Sequence, residues 1–200
     1  MQALLRRILI ANVPARYYAF AAFYMVTIKL TAAVIHRLLL GGWPVFKTDG
    51  LFLVPLAIAV SLPFQAGEEV GWRGFALPRL AAKFGMAPAS LLLGGIWALW
   101  HLPQFYIAGA DTYHHSFIVW SLQVIAMSVA LAWLYARTGS LLLVMLLHSA
   151  VNNSKDLVPS GLATPPGVFA LEASAISWLT LLLMWACAAW LLPRMGRTTV

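Results

Sequence analysis

The chain has 200 residues, 62 % of them hydrophobic and only 10 % charged, and carries a formal net charge of +7 from 13 Lys and Arg against 6 Asp and Glu. A soluble domain is about half apolar and a quarter charged, so this composition excludes a soluble enzyme, a disordered regulator and a fibrous repeat. It reads as an all-α, polytopic integral membrane protein forming one domain over residues 1–200. The cations punctuate apolar runs instead of forming a basic face, so they read as topology signals and not as a nucleic-acid surface.

Each membrane helix needs about 20 largely apolar residues. Six spans are predicted in chain order: Tyr17–Leu40, Gly50–Arg73, Ala87–Ala108, Ser116–Ala136, a short Ser140–Asn153 and Val168–Leu192. The runs are continuous, not alternating, which argues against strands. Pro and Gly gather between them, at Gly41-Gly42-Trp43-Pro44, Pro78, Pro88, Pro103, Gly139 and from Pro159 to Gly167. Met1–Ala15 lacks the long apolar stretch of a signal peptide and reads as an amphipathic lead-in. The lone Cys187 lies in an apolar run, so no internal disulfide is possible.

With six spans the N-terminus, the second and fourth loops and the C-terminus share one side. That side carries Arg6, Arg7, Arg16, Arg79, Lys83, Arg137, Arg194 and Arg197; the other carries Arg37, Lys47 and Lys155. Eight against three favours both termini in the cytoplasm, with the plasma membrane expected if the host is prokaryotic. The second span then runs inward, which predicts a site near its cytoplasmic end, in a cavity open to the cytoplasm.

Polar residues inside apolar segments are the informative ones. A charge at the bilayer centre costs about 2.5–3.5 kcal/mol on insertion scales, so it faces a protein interior or a wet cavity. Glu68 and Glu69 are adjacent in Gln65-Ala66-Gly67-Glu68-Glu69-Val70-Gly71-Trp72-Arg73. Glu69 and Arg73, four apart on a helix, can pair, while Glu68 is rotated about 100° away and stays available. An interfacial salt-bridge cluster is the plainer reading of the same spacing. Trp97-Ala98-Leu99-Trp100-His101 ends an uncharged run with an imidazole one turn after an indole. His148 and Asn152 share a helix face and can aim two donors at a developing oxyanion. Taken singly, each His or Asn also reads as interhelical glue. Together they place a carboxylate and two imidazoles on three helices, which is what acid–base hydrolysis requires.

These three segments resemble the CAAX-type prenyl endopeptidase and bacteriocin-processing family of intramembrane proteases, the abortive-infection type. The family pattern is Glu-Glu-x-x-x-Arg, aromatic-x-x-x-His and His-x-x-x-Asn or Asp, each on its own membrane helix. Glu68–Arg73, Trp97–His101 and His148–Asn152 follow it in order, within a core of about residues 63–153. Trp97 stands where the family usually has Phe, and relatives commonly carry about eight spans against six here. The resemblance implies an endopeptidase of the glutamic type that acts on a membrane-associated or CAAX-type protein or peptide. Glu68 and His101 would hold and activate water, His148 and Asn152 would stabilise the oxyanion, and Glu69, Arg73 and Trp97 would support them. No cofactor is then required. Zinc on Glu68, His101 and His148 is the alternative, disfavoured because a carboxamide at Asn152 suits an oxyanion better than a metal.

Two other functions fit parts of the pattern. A proton- or ion-coupled transporter would use Glu68 and His101 as a relay but should show inverted repeats. An idle scaffold of the same fold would not need all three motifs. Lys29, midway in the first span, either faces a cavity, pairs with a carboxylate or snorkels to an interface. Asp111, His114 and His115 read as a solvated loop, with a spacing that could also ligate a metal. Substrate identity and oligomeric state are not encoded in any of these features.

Overall fold

The computed structural model describes residues 6–196; residues 1–5 of the lead-in, and Arg197 with the three residues after it, lie outside the described residues. Helices make up the ordered secondary structure, with no strand among the described residues. The α-helices are α1 (Ala15–Leu40), α2 (Val54–Glu69), α3 (Leu77–Phe84), α4 (Met86–Trp100), α5 (Phe117–Thr138), α6 (Leu141–Ser154) and α7 (Ala175–Leu191). Four helical runs are long and apolar enough to cross a membrane: Ala15–Leu40, Leu51–Phe84, Phe117–Thr138 and Ala175–Arg194. The protein is an integral membrane protein.

Two predicted spans are shorter than a full crossing. α4 has 15 residues and α6 has 14, or about 21–23 Å at 1.5 Å per residue against a hydrocarbon core of about 30 Å. Irregular backbone at membrane depth survives where protein or a wet cavity surrounds it, and both helices end beside the central cavity. The third predicted span therefore stops at Trp100 instead of reaching Ala108. Pro103 has no amide hydrogen to continue the ladder, and the chain tightens into a 3-10 turn at Leu102–Tyr106. The last span starts at Ala175, not Val168, after the Pro-rich stretch, on a Ser174 hydroxyl that accepts from the Ser177 amide.

The second span differs most from expectation. It does not end at Arg73. The helix continues from Leu51 to Phe84, 34 residues, about 50 Å long. Between α2 and α3 it widens into a π-helix over Val70–Ala76, with the Leu77 amide bonding the Trp72 carbonyl five residues back. Arg79 and Lys83 consequently lie on α3, and only Gly85, in the left-handed region at φ 83°, turns the chain into α4.

The buried α6 packs against α1, α2 and α5, while α4 and α7 pack on α5. Its apolar residues are buried nearly all round, as a helix inside a bundle must be. Polar seams hold it to α2. The Ser61 and Ser149 hydroxyls are 2.6 Å apart, Ser149 donates to the Ile58 carbonyl at 2.8 Å, and Asn153 Nδ2 donates to Ser61 Oγ at 2.8 Å. The described part of the lead-in is tied to the α5–α6 turn through Ser140 Oγ, which donates to the Ile10 carbonyl at 2.6 Å.

α4 and α5 approach backbone to side chain. A Cβ at Gly94 would lie 2.9 Å from both Ile125 Cα and Ser128 Cβ, and Ser128 Oγ donates to the Ser90 carbonyl at 2.9 Å. Small residues permit such approaches in membranes, where packing substitutes for the hydrophobic effect. Gly94→Val should force these helices apart and destabilise the fold by about 1–3 kcal/mol. A lowered midpoint in thermal unfolding in detergent, absent for Gly95→Val on the open face where a Cβ meets nothing, would show it.

Candidate functional site

The site forms where α2, α4 and α6 meet. Glu69 points into protein and is 0 % exposed. Its carboxylate accepts from Arg73 Nη1 at 3.0 and 3.2 Å and from His148 Nδ1 at 2.7 Å. Arg73 is also 0 % exposed, and its guanidinium lies 4.3 Å from the centre of the Trp97 ring. This cation–π contact shields a face of the group whose Nε and Nη2 have no hydrogen-bond partner.

Glu68 lies on the other side of the helix and lines a cavity of about 330 Å³. The Trp97 indole Nε1–H donates to Glu68 Oε2 at 2.8 Å, which leaves Oε1 without a protein donor. Trp97 therefore touches Glu68, Arg73 and both imidazoles. Its ring lies edge-on to His101 at 5.5 Å and to His148 at 5.3 Å between centroids. His101, at the C-terminus of α4, has Nδ1 2.8 Å from the Trp97 carbonyl. A carbonyl oxygen only accepts, so Nδ1 carries the proton and Nε2 keeps its lone pair. Trp100 and Trp120 hold the imidazole from its other sides, at 4.7 and 5.1 Å.

Glu68, Trp97, His101, His148 and Asn152 all line this one cavity; Glu69 and Arg73 do not, and form its buried support. The neighbouring amides of α6 divide between two roles. Asn153 binds the α2 seam, and Asn152, exposed and lining the cavity, makes no hydrogen bond among the described residues. Among the described residues no three His, Cys, Asp or Glu side chains are grouped to hold a metal ion.

The cavity mouth corrects the sequence expectation. Gln104, Asp111, His115, Lys155 and Asp156 line it, and these belong to the segments between α4 and α5 and after α6. They lie at the end of the bundle opposite the termini and the Arg-rich turns. Glu68 is not near the end of its helix either, because the chain remains helical to Phe84. Cytoplasmic termini and a cavity open to the cytoplasm are therefore incompatible in this fold. His115 is half-buried at this mouth. Burial, then the nearby Lys155 and Lys29 cations, push its imidazole down to about 4, so it is neutral at ordinary pH.

Sequence reasoning missed three links: the Trp97–Glu68 bond, the Glu69–His148 bond and the entry of Thr112 and Thr180 into the cavity wall, beside a Lys29 for which a cavity was one of the readings. Each joins residues far apart in the chain. The indole nitrogen of Trp97 was the available signal, because a Phe at that position could not donate.

With this geometry in view, the comparisons decide the family. A family model described as type II CAAX prenyl endopeptidase Rce1-like matches residues 48–154, more than half of the chain. The protein belongs to this family. It is also similar to a CAAX prenyl protease 2 of Methanococcus maripaludis, with 27 % identity over 188 residues, 86 % of this chain and 67 % of the relative. The family match contains all three motifs and both helices that flank the π segment.

The two glutamates should respond differently to loss of charge. Glu69→Gln leaves Arg73 buried without its counter-ion and should lower stability by about 3–5 kcal/mol. Glu68→Gln retains an acceptor for Trp97 at the cavity wall and should stay within about 1 kcal/mol of the native protein. Paired thermal unfolding curves in detergent check this; equal losses would contradict the assignment of Glu69 as the buried support.

Proposed function

We propose that this Rce1-like family member is an intramembrane endopeptidase of the glutamic type, hydrolysing a peptide bond in a membrane-associated, CAAX-type protein or peptide. The observation that carries the reading is the convergence of Glu68, His101, His148 and Asn152 on one cavity wall from three helices.

A water in the cavity would sit between Glu68 Oε1 and the free Nε2 of His101. Glu68 takes its proton as the oxygen attacks the scissile carbonyl. The carbonyl π-electrons move to oxygen, and the resulting anion accepts from Asn152 Nδ2–H and from Nε2–H of a doubly protonated His148. Glu69, 2.7 Å from His148 Nδ1, orients that imidazole. Collapse of the intermediate breaks the C–N bond, and the proton held by Glu68 passes to the leaving amine. Fixed donors in a cavity walled by protein and lipid are stronger than the same donors in water, because little reorganisation is needed. Each step as proposed runs on water and the protein's own side chains.

The expected outcomes are specific. Glu68→Gln should abolish cleavage while preserving abundance and melting, and Asn152→Ala should lower kcat by about 10²–10³-fold. New protein termini, read by mass spectrometry of membranes from cells making native or Glu68→Gln protein at equal abundance, identify substrates. Purified protein must then cleave those substrates directly. Identical termini in both membranes, with the proteins folded, would defeat the peptidase reading. A pH-dependent flux lost in Glu68→Gln would favour transport instead.

The cation count keeps its direction in the fold, with Arg16, Arg79, Lys83, Arg137 and Arg194 at one end. We take this end as cytoplasmic, so the cavity mouth faces away from the cytoplasm and receives its substrate from that side. In intact cells an impermeant maleimide should label Asp111→Cys and not Lys83→Cys, in a Cys187→Ala background. The reverse pattern would place the mouth, and the substrate, in the cytoplasm.

A further inference from the structure

Lys29 is buried, 2 % exposed, and lines the same cavity as Glu68. Its Nζ donates to the Val158 carbonyl and to Ser160 Oγ, both at 3.1 Å. An ammonium has three hydrogens, so a third donor remains. No carboxylate lies within ion-pair distance of it among the described residues, whereas the neighbouring Lys155 is held by Asp111 at 3.2 Å and by Asp156 at 2.7 Å. A buried cation normally has an anionic partner. Two hydroxyls in the same wall are also unsatisfied. Thr112 Oγ1 and Thr180 Oγ1 are buried without a hydrogen-bond partner among the described residues, and both residues line the cavity. Met25, Met127, Val151 and Met184 give the same cavity an apolar, adaptable lining.

We propose that Lys29, with Thr112 and Thr180, forms a carboxylate-binding subsite that receives the free C-terminal carboxylate of the substrate peptide. This deepens the peptidase reading, because it fixes which end of the peptide lies at the Lys29 pole of the cavity. The peptide then runs from Lys29 toward Glu68 along the Met-lined wall. An extended chain covers about 3.3–3.6 Å per residue, so a short C-terminal segment separates the bound carboxylate from the attacked bond. The cation, supplied by α1, sets where along the chain cleavage falls. Glu68 and His101 set the chemistry.

The test is calorimetric binding to the full chain in detergent, with an aliphatic tripeptide (valyl-isoleucyl-methionine) as free acid and as carboxamide. The native protein and Glu68→Gln should each prefer the acid at least about ten-fold, which is about 1.4 kcal/mol. Lys29→Met should reduce the preference to under about two-fold, Thr180→Val should reduce it in part, and Lys29→Arg should retain it. Melting curves confirm that each variant is folded, and Lys29→Arg keeps the test valid where the methionine variant fails to fold. Equal binding of acid and amide, no binding of either by the native protein, or a preference that survives Lys29→Met would overturn the proposal. A carboxamide tripeptide ending in aspartate separates the two sources of a carboxylate; binding equal to that of the free acid would overturn the terminal assignment in favour of an acidic side chain. Since Glu68→Gln can bind without cleaving, a protein that binds the acid selectively but cleaves nothing counts against the peptidase reading and not against the subsite.

Discussion

Everything in the site depends on keeping the Glu69 carboxylate charged inside a membrane protein. An isolated ion at such a place would cost several kcal/mol. Arg73 supplies the counter-charge from the next turn, His148 supplies a second hydrogen bond from α6, and Trp97 covers the guanidinium from α4. The group joins three helices at one point. Its geometry cannot slip without exposing a buried charge, so it fixes the relative depth of α2, α4 and α6. The cavity-lining polar groups take their positions from this support. Glu68 precedes Glu69, Asn152 lies one turn beyond His148, and His101 lies one turn beyond Trp97.

The π segment follows from the same constraint. π turns are rare and recur at functional sites. Here the widened turn begins immediately after Glu69 and contains Arg73. It lets a fully buried guanidinium fit between its carboxylate and the Trp97 face. It also lets one continuous helix carry two environments, apolar along α2 and amphipathic along α3.

Membrane placement and site placement are coupled through helix length. α4 and α6 are too short to cross, and their C-terminal ends lie at the cavity with His101 and Asn152. Water can thus reach membrane depth without exposing open backbone to lipid. The mouth is lined by charges that mostly neutralise one another, while Lys29 below it keeps a free donor. Such a profile suits a cavity that admits a polar chain end and then surrounds it with apolar wall.

The sequence by itself determined the membrane class, the six helical segments in order, and the three motifs, because each depends on local composition or on a helix repeat of 3.6 residues. It also separated Glu68 from Glu69, since adjacent helical residues point about 100° apart. Tertiary structure alone decided the rest. Spacing cannot show that Trp97 donates to Glu68, that Glu69 supports His148, or that Asn152 faces the cavity while Asn153 binds Ser61, because these depend on how separate helices rotate and pack. The direction of the mouth was likewise out of reach. The sequence placed Glu68 at a helix end, and the helix instead widened into a π turn and continued. Lys29 is the clearest case: from the sequence it could face a cavity, pair or snorkel, and only the packing of α1 against the segment after α6 put its ammonium on Val158 and Ser160, in the wall of the site.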